Sequence, residues 1–319
     1  MRDLGSTGLS ISALTLGGGP LGSMPENFGY EVPETQAIEL VRATLDSSIR
    51  SIDTANGYSE GRSEERIGQG IAQHGGLPDD YLVMTKVDAR DGDYSGARVH
   101  ESLRESSVRL AIGTPLPMVF LHDPEFFAFD QLTAVGGAVE ALVQAREEGV
   151  ISHIGLAGGN VRDMERYLDL GVFEVLLVHN RWTLVDRSAG RLIGLAADRG
   201  IGVVNAAVLG GGILADTTGV STTYGYRPAS AVTLRAIAAM RTVCESWGTD
   251  LGSASVRFST LEARIASTIV GVSKPGRLEP TIAASVLDKP QEFWDELEAL
   301  LPSPENWLDH ATGLSKREN

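Results

Sequence analysis

Cysteine is almost absent: Cys244 is the only one in 319 residues. No intramolecular disulfide can form and nothing points to an oxidising compartment, so the cytoplasm is the expected location. Cys244 lies in helical sequence with no histidine close to it in the chain, and it reads as a core residue and not a nucleophile. Basic residues are also scarce, 27 Lys and Arg against 42 Asp and Glu, which gives a formal charge of -15. Nucleic acid and anionic membrane both need basic surface, so neither is expected as a partner. Any anionic ligand must find a local basic pocket. No apolar run nears the roughly 18 residues of a membrane helix, and the first residues lack the apolar region of a signal peptide. The six histidines lack ligand spacing. No metal site is therefore expected, nor is there a nucleophile elbow.

What the chain does have is glycine, 37 in all, and a regular alternation of short apolar runs with helical sequence. The runs are Leu14 to Leu16, Ile49 to Asp53, Tyr81 to Lys86, Pro117 to His122, Ser152 to Leu156, Glu174 to His179, Ile201 to Asn205 and Ala266 to Val270. Helical periods fall between them at about 34–45, 63–72, 97–110, 129–148, 162–170, 187–199, 229–247 and 252–261. Length alone allows two domains, but eight such units with no linker predict one (β/α)8 TIM barrel over residues 1–319. A small N-terminal hairpin over Leu4 to Ala13 and a helical C-terminal tail complete it. Gly17-Gly-Gly-Pro-Leu-Gly22 formally matches a dinucleotide fingerprint. Pro20 and a non-helical stretch from Pro25 to Tyr30 argue against the helix that such a motif needs.

Parallel α/β folds place their chemistry at the carboxyl ends of the strands, and four proton-active residues fall there: Asp53, Tyr58, Lys86 and His122. A phenol has a pKa near 10, so Tyr58 alone is a weak acid or base at neutral pH. A cationic Lys86 beside it is expected to lower that value, with Asp53 holding the ammonium. His122 can donate a hydrogen bond to a substrate oxygen on which charge develops. The set suits proton transfer at an alcohol or carbonyl oxygen. A Schiff-base lyase using Lys86 as nucleophile and a dinucleotide-binding regulator without turnover remain alternatives.

These residues, with Arg2 to Ser12, Gly17 to Gly22, Asp53-Thr-Ala55, Ser63-Glu64 and Lys86-Val87, make the chain similar to the aldo-keto reductases over most of its length. Arg181 to Asp186 and Phe293 to Glu298 resemble the branch of sugar 1-dehydrogenases (L-fucose or D-threo-aldose type) and pyridoxal dehydrogenase. The resemblance implies a role in carbohydrate metabolism, with a nicotinamide cofactor and a small carbonyl or sugar substrate. In it Tyr58 is the general acid/base, Lys86 its pKa partner, Asp53 the orienter and His122 the polarising residue. A pyridoxal or general aldehyde or ketone reductase is the alternative within the family.

The resemblance also implies a set of cofactor contacts. Asn160 stands near the usual Ser-Asn, which here reads Leu156-Ala-Gly-Gly-Asn160; His179 replaces a common Gln, Trp182 a common Tyr and Asp88 a frequent Gly. Leu209, Gly210 and Gly212, after the seventh strand, give backbone access to a pyrophosphate. Gly271, Ser273, Lys274, Arg277 and Thr281, after the eighth, occupy the usual phosphate site of a TIM barrel. A hydroxyl with two cations favours NADP(H), with NAD(H) possible. Aromatic residues in the loops Met24 to Val32, Asp123 to Asp130 and Thr217 to Pro228 suit either a sugar face or a pyridine ring.

Overall fold

The computed structural model describes residues 1–25 and 29–309. Eight strands close into a parallel barrel in the order β8-β1-β2-β3-β4-β5-β6-β7. They are β1 (Leu14–Gly17), β2 (Ser51–Asp53), β3 (Leu82–Val87), β4 (Leu116–His122), β5 (Ile151–Gly158), β6 (Val175–His179), β7 (Gly202–Ala206) and β8 (Ser267–Gly271). All eight predicted strands are present. Register follows from the pleat, because successive side chains point to opposite faces. Leu82 and Met84 of β3, Met118 and Phe120 of β4, and Val175 and Leu177 of β6 fill the interior. The alternate residues Val83, Val119 and Leu176 pack outward against the helices.

Gly155 of β5 makes room for the Phe120 ring, since a Cβ there would lie 2.2 Å from Phe120 Cδ1. Gly155→Ala is expected to lower stability by about 1–3 kcal/mol through overpacking, read as a lower denaturant midpoint with an unchanged slope.

The predicted hairpin forms from Arg2–Asp3 and Ser10–Ile11, paired antiparallel. It crosses the amino end of the barrel. Leu4 and Ile11 are fully buried there against Val175, Val204 and Ala266, and close the floor. At the other terminus the helix Gln291–Glu298 and a short 3-10 turn, Pro304–Asn306, form the expected tail. Among the described residues, no helix is long and apolar enough to cross a membrane. Cys244 is buried in the core, and burial pushes its thiol up to about 12.

Two expectations need correction, and a third falls partly outside the described residues. The single helix at 129–148 is two, Phe129–Thr133 and Ala138–Glu147. They are separated at Gly136, which sits at φ +76° where glycine is at little cost, and Gly137 bends back to donate to the Ala134 carbonyl. The helix expected from Arg187 starts at Gly190, because Asp186 accepts hydrogen bonds from both the backbone N–H and the hydroxyl of Ser188 and fixes a turn. The stretch Pro25 to Tyr30, expected to be non-helical, includes residues 26–28, which lie outside those described. The barrel's closure, and not that stretch, excludes the open dinucleotide-binding sheet.

Candidate active site

The pleat that fills the barrel also aims its chemistry. Lys86 continues the inward phase of Leu82 and Met84, and His122 that of Met118 and Phe120. Asp53 stands next to them at the end of β2. The three meet at the carboxyl mouth, joined by Tyr58 from the first turn after β2. The lysine is 1% exposed and the aspartate 4%. Lys86 Nζ donates to Asp53 Oδ2 at 2.7 Å, to the Thr54 carbonyl at 2.6 Å and to the Tyr58 hydroxyl at 3.2 Å. Three donors thus meet three acceptors, which is what a buried ammonium requires. The Tyr58 and His122 rings stand edge to face, with centroids 5.6 Å apart.

The titration of Tyr58 runs against expectation. Its pKa is raised well above that of a free phenol, first by burial and then by Asp53, Asp123 and Asp88. Lys86 does not offset this, because it is paired at 2.7 Å with Asp53, so the buried phenol beside it meets a nearly neutral pair and two further carboxylates. Tyr58 is therefore held protonated, as a proton donor. Burial raises Asp53 above the usual carboxylate range despite Lys86. Burial also pushes Asp123 up, but His122 and His179 outweigh it and hold that carboxyl well below the usual range.

A family model described as the aldo/keto reductase family matches residues 13–302. This chain belongs to that family. It is accordingly an oxidoreductase on a (β/α)8 scaffold. It is 30% identical to the L-galactose dehydrogenase of Arabidopsis thaliana, over 96% of this chain and 95% of the relative. It is also 27% identical to a D-threo-aldose 1-dehydrogenase from Pseudomonas, over 94% and 97%. With the pyridoxal 4-dehydrogenase of Microbacterium luteolum it shares 27% identity over 93% and 96%. An aldo-keto reductase from Bacillus halodurans superposes with a TM-score of 0.76 at 20% identity, covering 94% of this chain and 96% of that one, a likeness of fold.

In this aldo/keto reductase the remaining expected residues divide. His179, at the end of β6, comes to the mouth with Nε2 3.6 Å from Asp123 Oδ1. Asn160 lies at the start of the helix Val161–Leu168, where its Oδ1 accepts from the Arg162 and Asp163 amides, so its carbonyl oxygen is spent as a helix cap. Trp182 is not gathered with the tetrad: it stacks on Phe258 at 5.8 Å, with Arg187 and Arg264 over its ring. Leu209 leads into the turn Gly210–Gly212, whose glycines take φ of +62°, +79° and +103°. A Cβ at Gly211 or Gly212 would meet open space, so a ligand can reach bare backbone there.

Beyond β8, Gly271 is exposed and the Ser273 carbonyl accepts from Gln36. Lys274 and Arg277 are exposed around the turn Pro275–Arg277 that leads into the helix Leu278–Ser285, and Thr281 bonds back to the Arg277 carbonyl. Two acids at the mouth had no catalytic role expected from the sequence. Asp88 reaches His122, and Asp123 lies between His122 and His179. Asp123, Glu125 and His179 also gather there, each with a side-chain oxygen or nitrogen within 4.8 Å of the others, a grouping that sequence spacing does not reveal.

Proposed function

We propose that this aldo/keto reductase transfers a hydride between a nicotinamide dinucleotide and the carbonyl or hemiacetal carbon of a small aldose or related aldehyde. The observation that carries the reading is the triple anchoring of Lys86 Nζ to Asp53, the Thr54 carbonyl and the Tyr58 hydroxyl. That arrangement fixes a protonated phenol beside an imidazole at one rim. In the reducing direction the hydride goes to the carbonyl carbon. The Tyr58 hydroxyl gives its proton to the carbonyl oxygen, and His122 donates to that oxygen as charge grows on it. In the oxidising direction the same proton returns to Tyr58. The dinucleotide supplies only the hydride or its acceptor.

Bare backbone at Gly211 and Gly212, and the exposed Lys274 and Arg277 ahead of a helix, fit a pyrophosphate and adenosine end. The names of the sugar and pyridoxal dehydrogenases among the relatives support the substrate class. Against a Schiff-base lyase stands the bonding of Lys86, whose amine has no lone pair to offer while its three donors are engaged. Borohydride with substrate should trap no lysine adduct. A panel of aldoses, pyridoxal and simple aldehydes, followed at the nicotinamide absorbance band with both cofactors, tests the reading. Turnover of none of them would refute it.

The cofactor phosphate gives a second test. Lys274 and Arg277 can pair with a 2′-phosphate, and charge-assisted phosphate bonds are worth about 1.5–3 kcal/mol. NADP is expected to bind more tightly than NAD, with the preference falling at least about tenfold in Lys274→Ala/Arg277→Ala. Dissociation constants of both cofactors on both proteins check this. Equal wild-type affinities, or a preference untouched by the double change, would show that these side chains do not read the phosphate.

A further inference from the structure

We infer that Asp88 sets the working state of His122: its carboxylate holds the proton of Nδ1 and leaves Nε2 to meet the substrate oxygen, so that His122 polarises a carbonyl only as an imidazolium. The inference rests on the reading of this rim as the site of carbonyl chemistry. Asp88 acts through His122 and is a positioning residue.

The placement comes from β3. Residue 88 keeps the inward phase of Met84 and Lys86 one step past the strand, and there its two oxygens bridge the end of β4 and the loop after β2. Oδ1 lies 2.6 Å from His122 Nδ1, and Oδ2 accepts the Gly57 N–H at 2.6 Å. Room for this is made by a glycine: a Cβ at Gly57 would lie 2.9 Å from Asp88 Cγ. The imidazole is fixed from behind as well, because the Tyr94 hydroxyl accepts the His122 backbone N–H at 2.9 Å.

A carboxylate can only accept, so Nδ1 carries a proton in both charge states of the ring. In the neutral ring Nε2 then holds a lone pair. It accepts from an alcohol but donates nothing to a carbonyl. Carbonyl reduction should consequently fade as pH rises through the His122 pKa. Other charges face the ring. Asp123 Oδ2 lies 3.9 Å from Nε2 and itself meets His179, the Lys86–Asp53 pair lies across from it, and the Tyr58 phenol stands against its edge. Burial alone would lower the His122 pKa, but Asp88 and Asp123 outweigh burial and Lys86, and the net direction is up.

Asp88→Asn tests this because the amide can satisfy both neighbours only one way round. Its oxygen takes the Gly57 N–H and its NH2 faces Nδ1, which forces the neutral proton onto Nε2. The full-length chain labelled with 15N, with His122 assigned through His122→Gln, is titrated by NMR of the imidazole nitrogens. The wild-type neutral ring should carry its proton on Nδ1. In Asp88→Asn it should move to Nε2, with the titration midpoint lower by about 1–3 pH units. An Nε2 proton in the wild type, or the same tautomer and midpoint in both proteins, overturns the inference. Should Asp88→Asn not fold, Gly57→Ala, whose Cβ displaces the carboxylate, must lower the midpoint likewise.

With whichever aldehyde the panel shows to be reduced, the alkaline fall in kcat should flatten in Asp88→Asn while KM changes little. An unchanged profile would reduce Asp88 to a loop tie. If no substrate turns over, the proposed reaction fails, and the nitrogen spectra still decide whether Asp88 governs His122.

Discussion

Tyr58→Phe should lose about 10²–10⁴-fold in kcat while cofactor dissociation constants stay near those of the wild type. The substitution deletes the proton that moves and keeps the ring that packs against His122 at 5.6 Å. Burial and three carboxylates hold that phenol protonated, as the donor that the substitution deletes. Steady-state kinetics with the best substrate of the panel, alongside fluorescence titration of the cofactor, separate the two effects. A mutant with half the wild-type kcat would remove Tyr58 from the mechanism.

Lys86→Met should be the most damaging single change, because it harms stability as well as turnover. It leaves Asp53 buried without its counter-charge, and breaking a buried pair by removing one partner costs about 3–5 kcal/mol. The loss should depend on pH in a definite sense. Burial already raises the Asp53 pKa, and without Lys86 it rises further. The native state then binds a proton that the unfolded state releases, so the mutant is penalised least at acid pH. It loses stability as pH climbs from the ordinary carboxylate value to the raised native one. Denaturant midpoints at pH 4.5 and 8 measure the difference. Any residual oxidation should move to higher pH, since the phenol then faces an unscreened carboxylate. A mutant as stable as the wild type at both pH values would show that the pair is not the keystone described.

The barrel was legible because its strands are apolar runs with one polar end, and the pleat carries that pattern straight into geometry: Lys86 and His122 point inward for the same reason as Met84 and Phe120. Tyr58 followed from its distance to Asp53 across Asn56-Gly57. What could not be read from spacing were contacts between segments far apart in the chain. Asp88 meets His122 across 34 residues, and as an isolated acid after a strand it resembles any turn residue. The direction of the Tyr58 shift was hidden for a related reason. Whether Lys86 acts as a free cation depends on a 2.7 Å contact with Asp53, and sequence shows that both residues exist but not that their charges cancel. The break at Gly136 was visible as a Gly-Gly pair, yet the apolar period on either side of it outweighed the signal.

The hairpin beneath the barrel has a consequence for the order of events above it. With Leu4 and Ile11 sealing one end and Phe120 filling the shaft, the packed barrel interior separates the tetrad from the amino end. On the proposed reaction, dinucleotide and substrate both reach the tetrad from the carboxyl mouth, and whichever lies deeper waits for the other to leave. Exchange at this site is a queue, in which the deeper molecule is the last to leave.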